Sequence, residues 1–103
     1  MKHCPAFDYN IIQLDNVILD VKDNYKEYLR NVNVRYDPPD SLYTEFVFLK
    51  NDKIKTVKIS WEVHQIYDRF RVASNVWNLN MNGIVEKNKT VGYIYKRIGE
   101  LLA

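Results

Sequence analysis

The chain has 103 residues, of which 47% are hydrophobic and 14% aromatic, and its formal net charge is +2. That is apolar material for one core, too short for two independent domains and too rich in large side chains for global disorder. A single cysteine, Cys4, excludes an intramolecular disulfide and any CxxC redox or metal motif.

The longest apolar run, Phe46-Val47-Phe48-Leu49, falls far below the ~20 residues of a membrane span. Met1-Lys2-His3-Cys4-Pro5 lacks the apolar stretch of a leader peptide. The expectation is a single cytoplasmic domain, residues 1–103, without membrane contact. The charge is unevenly spread: residues 1–52 carry −3 and residues 53–103 carry +5. Such asymmetry either brings an anionic partner to the C-terminal half or lets the two halves face each other. Asn, Lys, Ile and Tyr occupy 38 positions. All four have AT-rich codons, as in a low-GC bacterial or phage source, so their abundance is not itself a functional signal.

In chain order, residues 1–9 show no periodicity and, with Pro5 among them, read as irregular. Ile11, Leu14, Ile18, Val21, Tyr25, Tyr28 and Val32 then recur three and four apart, the stripe of an amphipathic helix. Asn10 with Gln13 fits a capping box. A competing pattern makes a hairpin of Ile11–Leu14 and Val17–Val21 around Asp15-Asn16, so the segment Asp23–Asn31 carries the firmer helix expectation.

Val32, Val34 and Tyr36 alternate as a strand that ends at Asp37-Pro38-Pro39-Asp40. Leu42–Lys50 is a second strand and Lys53–Ser60 a third, joined at Asn51-Asp52. The second strand has Leu42, Phe46 and Phe48 on one face and Tyr43, Val47 and Leu49 on the other. Neither face is plainly polar, so both call for cover.

Ser60 is placed to cap a helix from Trp61 to about Ser74, with a strand through Phe70, Val72 and Val76 as the alternative. Trp77, Leu79 and Met81 alternate up to Asn82-Gly83, a strong hairpin signal because a type I′ turn needs positive φ at both positions. Glu86–Lys89 reads as a polar connector. Thr90 caps a last helix bearing Val91, Ile94, Tyr95, Ile98, Leu101 and Leu102 on one stripe, with Gly92 and Gly99 sharing a face. The fold class is therefore α+β: helix, three-stranded antiparallel meander, helix, short β-hairpin, C-terminal helix. Over residues 20–74 this order resembles the double-stranded-RNA-binding domain in topology. That family's glycine-rich loop and second-helix lysine cluster have no counterpart in Ser60-Trp61-Glu62-Val63-His64, so its function is not carried over.

Reactive chemistry is sparse. His64 and Asp68, four apart, would share a helix face and start a metal site or an acid–base pair, but nothing completes either; His3-Cys4 is an equally bare pair. Three glycines, at 83, 92 and 99, make no phosphate-cradling loop. No catalytic residue, metal or cofactor is expected. The candidate partner-binding residues are Lys53, Lys55, Arg69, Arg71, Tyr93, Lys96 and Arg97, basic positions interleaved with a stacking residue, as single-stranded nucleic acid would require. Eight tyrosines and two tryptophans enrich the types that anchor protein interfaces. The leading expectation is a non-catalytic accessory or regulatory domain that binds itself, as a homo-oligomer (dimer), or a protein partner. Nucleic-acid binding through the basic C-terminal half is the competing one.

Overall fold

A computed structural model describes residues 5–38, 41–62 and 76–103. The elements are α1 (Pro5–Asn24), β1 (Leu29–Asp37), β2 (Ser41–Lys50), β3 (Lys53–Glu62), β4 (Trp77–Met81), β5 (Ile84–Lys89) and α2 (Val91–Leu101). The strands form one antiparallel sheet in the order β1-β2-β3-β4-β5, each pairing with its chain neighbour. This is the expected α+β arrangement of helix, meander, hairpin and C-terminal helix. The helix or strand expected over residues 62–74 begins inside β3 at Glu62 and otherwise lies outside the described residues.

Alternation along the strands sorts the side chains. Leu42, Thr44, Phe46 and Phe48 of β2, Val57, Ile59 and Trp61 of β3, and Trp77, Leu79 and Met81 of β4 are all buried. The register sets Leu42 opposite Trp61, Phe46 opposite Val57 and Ile59 opposite Leu79, so these residues share one face. Phe7, Leu14, Val17, Ile18 and Val21 of α1 and Ile94 and Ile98 of α2 join the same core. Both helices therefore lie on that face. Each large side chain so buried contributes roughly 1.5–3 kcal/mol. Thr44, the polar residue in this floor, donates through Oγ1 to the Asn33 carbonyl at 2.8 Å, which removes the penalty of its burial. Among the described residues, the buried indole nitrogens of Trp61 and Trp77 meet no hydrogen-bond partner.

Three boundaries differ from the sequence expectation. First, α1 begins at Pro5, so residues 5–9 are helical rather than irregular. Proline suits a helix's first turn, where its missing N–H would have no intrahelical partner, and Asn10 is consequently a buried mid-helix residue and no cap. Second, α1 ends at Asn24, so Asp23–Asn31 is not a helix and the hairpin at Asp15-Asn16 does not form. The Tyr28 and Leu29 amides both bond the Tyr25 carbonyl at 2.9 Å, reversing the chain into β1. Tyr25 and Tyr28 keep the helical spacing because they pack on the core from this turn, Tyr25 edge-on to Phe48 at 6.4 Å. Third, Ser60, Trp61 and Glu62 continue β3, so Ser60 caps no helix.

The two tight turns follow their residues. Asn51 and Asp52 have φ of 54° and 60°, and Asn82 and Gly83 have 52° and 92°, which matches the twist of the flanking strands. Thr90 caps α2 as expected, its Oγ1 accepting from the Tyr93 amide at 3.2 Å. Gly92 and Gly99 are not placed for close backbone approach: a Cβ at Gly99 would meet the Tyr25 hydroxyl at 3.5 Å and one at Gly92 the Thr90 Oγ1 at 3.9 Å, ordinary contacts. Alanine at either is expected to raise stability by up to about 1 kcal/mol through helix propensity. Alanine at Gly83, held at positive φ in open space, is expected to lower it by about 1–2 kcal/mol. Urea unfolding of the three variants checks both signs.

Candidate interaction surfaces

The face of the sheet away from the helices carries Asn33 and Arg35 of β1, Tyr43, Glu45 and Val47 of β2, Thr56, Lys58 and Ser60 of β3, Asn78 and Asn80 of β4 and Val85 of β5. No described helix lies on it. Its centre is half-buried. Asn33 Nδ2 donates to Glu45 Oε1 at 3.2 Å and Lys58 Nζ stands 3.9 Å from Glu45 Oε2. Tyr43, Lys58, Ser60, Asn78, Asn80 and Val85 border a shallow depression of about 240 Å³. Tyr43 and Val47, with Leu49 further along β2, place an aromatic–aliphatic strip beside these amides. This is the second face of β2 that the sequence left wanting cover.

The sheet's two edges are unlike. Their hydrogen-bonding directions follow from one bond: the Asn82 amide donates to the Thr56 carbonyl at 3.0 Å, so Thr56, Lys58 and Ser60 direct their main-chain groups to β4 and the odd residues of β3 direct theirs to β2. Carried across, β2 turns Tyr43, Glu45 and Val47 toward β1, which answers with Arg35, Asn33 and Asn31. The Leu49 amide bonding the Tyr28 carbonyl at 2.8 Å agrees. Val32, Val34 and Tyr36 therefore aim their N–H and C=O groups off the β1 edge. On β5 only Val85 and Lys87 point outward before the register shift opposite Trp77 and Leu79, where Asn88 takes a φ of 59°. That segment, expected as a polar connector, is a bulged edge strand.

The basic positions singled out in the sequence are dispersed. Lys55 donates to the Leu101 carbonyl at 2.9 Å, and Lys50, whose ammonium lies 5.2 Å from the Tyr28 ring centre, donates to the Leu102 carbonyl. These two cations satisfy the carbonyl end of α2 and complement its dipole. Lys53 is exposed beside the Asn51-Asp52 turn, and Lys96 is exposed on α2. Tyr93 and Arg97 do come together, but around a carboxylate. The Tyr93 hydroxyl donates to Glu86 Oε1; Arg97 donates through Nε to Glu86 Oε2 at 3.3 Å and through Nη1 to Glu100 Oε1 at 2.8 Å. Lys89 sits 4.7 Å from the Tyr93 ring centre. Arg69, Arg71, His64, Asp68, His3 and Cys4 lie outside the described residues. Among the described residues, no three of His, Cys, Asp and Glu are grouped to hold a metal ion, and no helix is long and apolar enough to cross a membrane.

Two more tyrosines tether the helices. Tyr36 donates to Asp15 Oδ1 at 2.6 Å, joining β1 to α1, and Tyr95 donates to Asp20, joining α2 to α1. Sequence reasoning gave Glu86, Asp15 and Asp20 no role, since their partners lie between 7 and 75 residues away and no local spacing marks them.

These contacts shift ionisation. The bond donated by Tyr93, helped by Arg97, holds the Glu86 carboxyl below its ordinary pKa of 4.5. The Asp15 bond, with burial, pushes Tyr36 up to about 12, and burial followed by the Asp20 bond raises Tyr95 further. No protein-family model matches the chain, and no curated protein or solved structure is similar to it.

Two pH dependences follow. Glu86 favours the native state fully above its unfolded-state pKa and loses that contribution as pH falls through the depressed folded value. Glu86→Gln is therefore expected to flatten the acid limb of stability, read from urea unfolding at a series of pH values. Tyr36 favours the native state below its unfolded-state pKa and loses this as pH rises through about 12. In a tyrosinate absorbance titration, Tyr36→Phe is expected to remove one late-titrating phenol.

Proposed function

We propose that this chain is a non-catalytic interaction domain of an accessory or regulatory kind whose first partner is a second copy of itself. One observation carries the reading: apolar side chains remain outside the single core along the β1–β2 side of the sheet. Val34 and Tyr36 are 42% and 43% exposed at the β1 edge. Tyr43, Val47 and Leu49 stand half-covered on the opposite, open face of the sheet. Val32, Val34 and Tyr36 share the helix-side face of one edge strand, with Asn33 and Arg35 on its other face, and so supply the apolar centre and polar rim of an interface. Isolated apolar residues are common on monomer surfaces; their succession along one face of an edge strand is what favours association.

The competing nucleic-acid reading has less support from the described residues. Lys55, Tyr93 and Arg97 spend their donors on Leu101, Glu86 and Glu100, and Lys58 lies on the opposite sheet face from Lys55.

Light scattering at low and high micromolar concentration tests the reading. A mass rising above the 12.3 kDa of one chain is expected. A mass fixed at that value throughout would refute self-association. Salt-sensitive retention on heparin, strong at about 50 mM and lost by about 200 mM salt, would favour the nucleic-acid reading instead.

A further inference from the structure

The β1 edge is the more exposed weakness of this sheet. Edge strands present unpaired N–H and C=O groups, which folded chains blunt with bulges, short lengths, lysines or prolines. The β5 edge has such devices: two outward residues, Lys87 being one of them, then a bulge at Asn88. β1 is nine residues long, and its irregularity is confined to its start, between Leu29 and Asn31. From Asn31 to Asp37 the pairing with β2 is regular, so Val32, Val34 and Tyr36 offer three evenly spaced pairs of main-chain groups with no partner among the described residues. Pro38 ends the run without interrupting it. Only a β-strand supplies the complementary array of donors and acceptors.

Resting on the self-association reading above, we infer that β1 pairs antiparallel with β1 of a second copy about a two-fold axis at Val34, making one continuous ten-stranded sheet. The strand's own order is what selects a second copy. With the axis at Val34, Val34 faces Val34 of the second copy, and Val32 faces Tyr36 of the second copy on both sides of the axis. These are β-branched and aromatic cross-strand pairs of the favourable kind. They lie on the helix side, extending the apolar floor past Val34 and Tyr36, where it now meets solvent. On the other face Asn33 opposes Arg35 and Asn31 opposes Asp37, so no like charges meet. Sliding the register one way sets Arg35 against Arg35; sliding it the other way recruits Arg30. That residue lies within the irregular start of β1, and its guanidinium is turned back to the carbonyls of Glu27 and Leu29. The outward residues of the central register exchange about six main-chain hydrogen bonds.

Three variants and one exchange measurement test this on the full chain. Val34→Pro deletes an outward N–H without touching the β1–β2 ladder, and Val34→Lys places two ammonium groups face to face at the axis. Val85→Pro makes the proline change on the β5 edge. Wild type and Val85→Pro are expected at twice the chain mass by light scattering at high micromolar concentration, and both Val34 variants at half of that. Should Val34→Pro fail to fold by circular dichroism, Val34→Lys decides alone. In the wild type, amide exchange at Val32, Val34 and Tyr36 should slow as concentration rises, while exchange at Asn31, Asn33 and Arg35 stays constant. A wild type that is monomeric at every concentration overturns both this pairing and the self-association reading. A dimer that survives Val34→Lys, or whose Val32, Val34 and Tyr36 amides exchange at a concentration-independent rate, overturns the pairing and leaves self-association standing through another surface.

Discussion

Everything in this fold depends on the two-residue alternation of β2. Leu42, Thr44, Phe46 and Phe48 are fully buried on one side of that strand, and this floor receives both helices. Leu14, Val17, Ile18 and Val21 of α1 and Ile94 and Ile98 of α2 lie on that floor, while Tyr9, Ile12 and Leu19 of α1 stay exposed. A shift of β2 by one residue would turn Tyr43, Glu45, Val47 and Leu49 inward and bring a carboxylate under the helices. Phe46 and Phe48, with ring centres 6.1 Å apart and Tyr25 edge-on to the second, fix the register where α1 turns into β1.

Polar side chains then hold the layers in place. Tyrosine hydroxyls bond Asp15, Asp20 and Glu86, joining α1 to β1, α1 to α2 and β5 to α2. Lys50 and Lys55 close the carbonyl end of α2. The acidic first half and the basic second half of the sequence thus meet in part inside one fold, as at Glu45 and Lys58. Groups that look available for chemistry in the sequence become tethers once neighbours from distant positions reach them.

A one-sided sheet leaves two kinds of surface behind: an open face and two edges. The open face is moderated by amides and hydroxyls, and the β5 edge by its bulge. The β1 edge retains regular backbone and apolar side chains together. Main-chain groups that point off an edge have only water to bond. Where apolar side chains flank them, a strand partner satisfies both demands at once.

The sequence determined what depends on neighbours a few residues apart. The alternation of β2, the Asn51-Asp52 and Asn82-Gly83 turns and the Thr90 cap were legible, because local sterics and periodicity decide them, while the stripe from Ile11 to Val21 left helix and hairpin both open. Tertiary structure decided the remainder. Pro5 opens a helix because Phe7 gains a place against Trp61, with ring centres 6.1 Å apart. Tyr25 and Tyr28 fit a helical stripe yet form a turn, since either backbone puts them on the same core. Ser60-Trp61-Glu62 stays in a strand because Trp61 buries opposite Leu42. The fates of Lys55, Tyr93 and Arg97 were invisible for the same reason: their partners are set by packing between elements, and spacing along the chain says nothing about which carbonyl or carboxylate a long side chain will find.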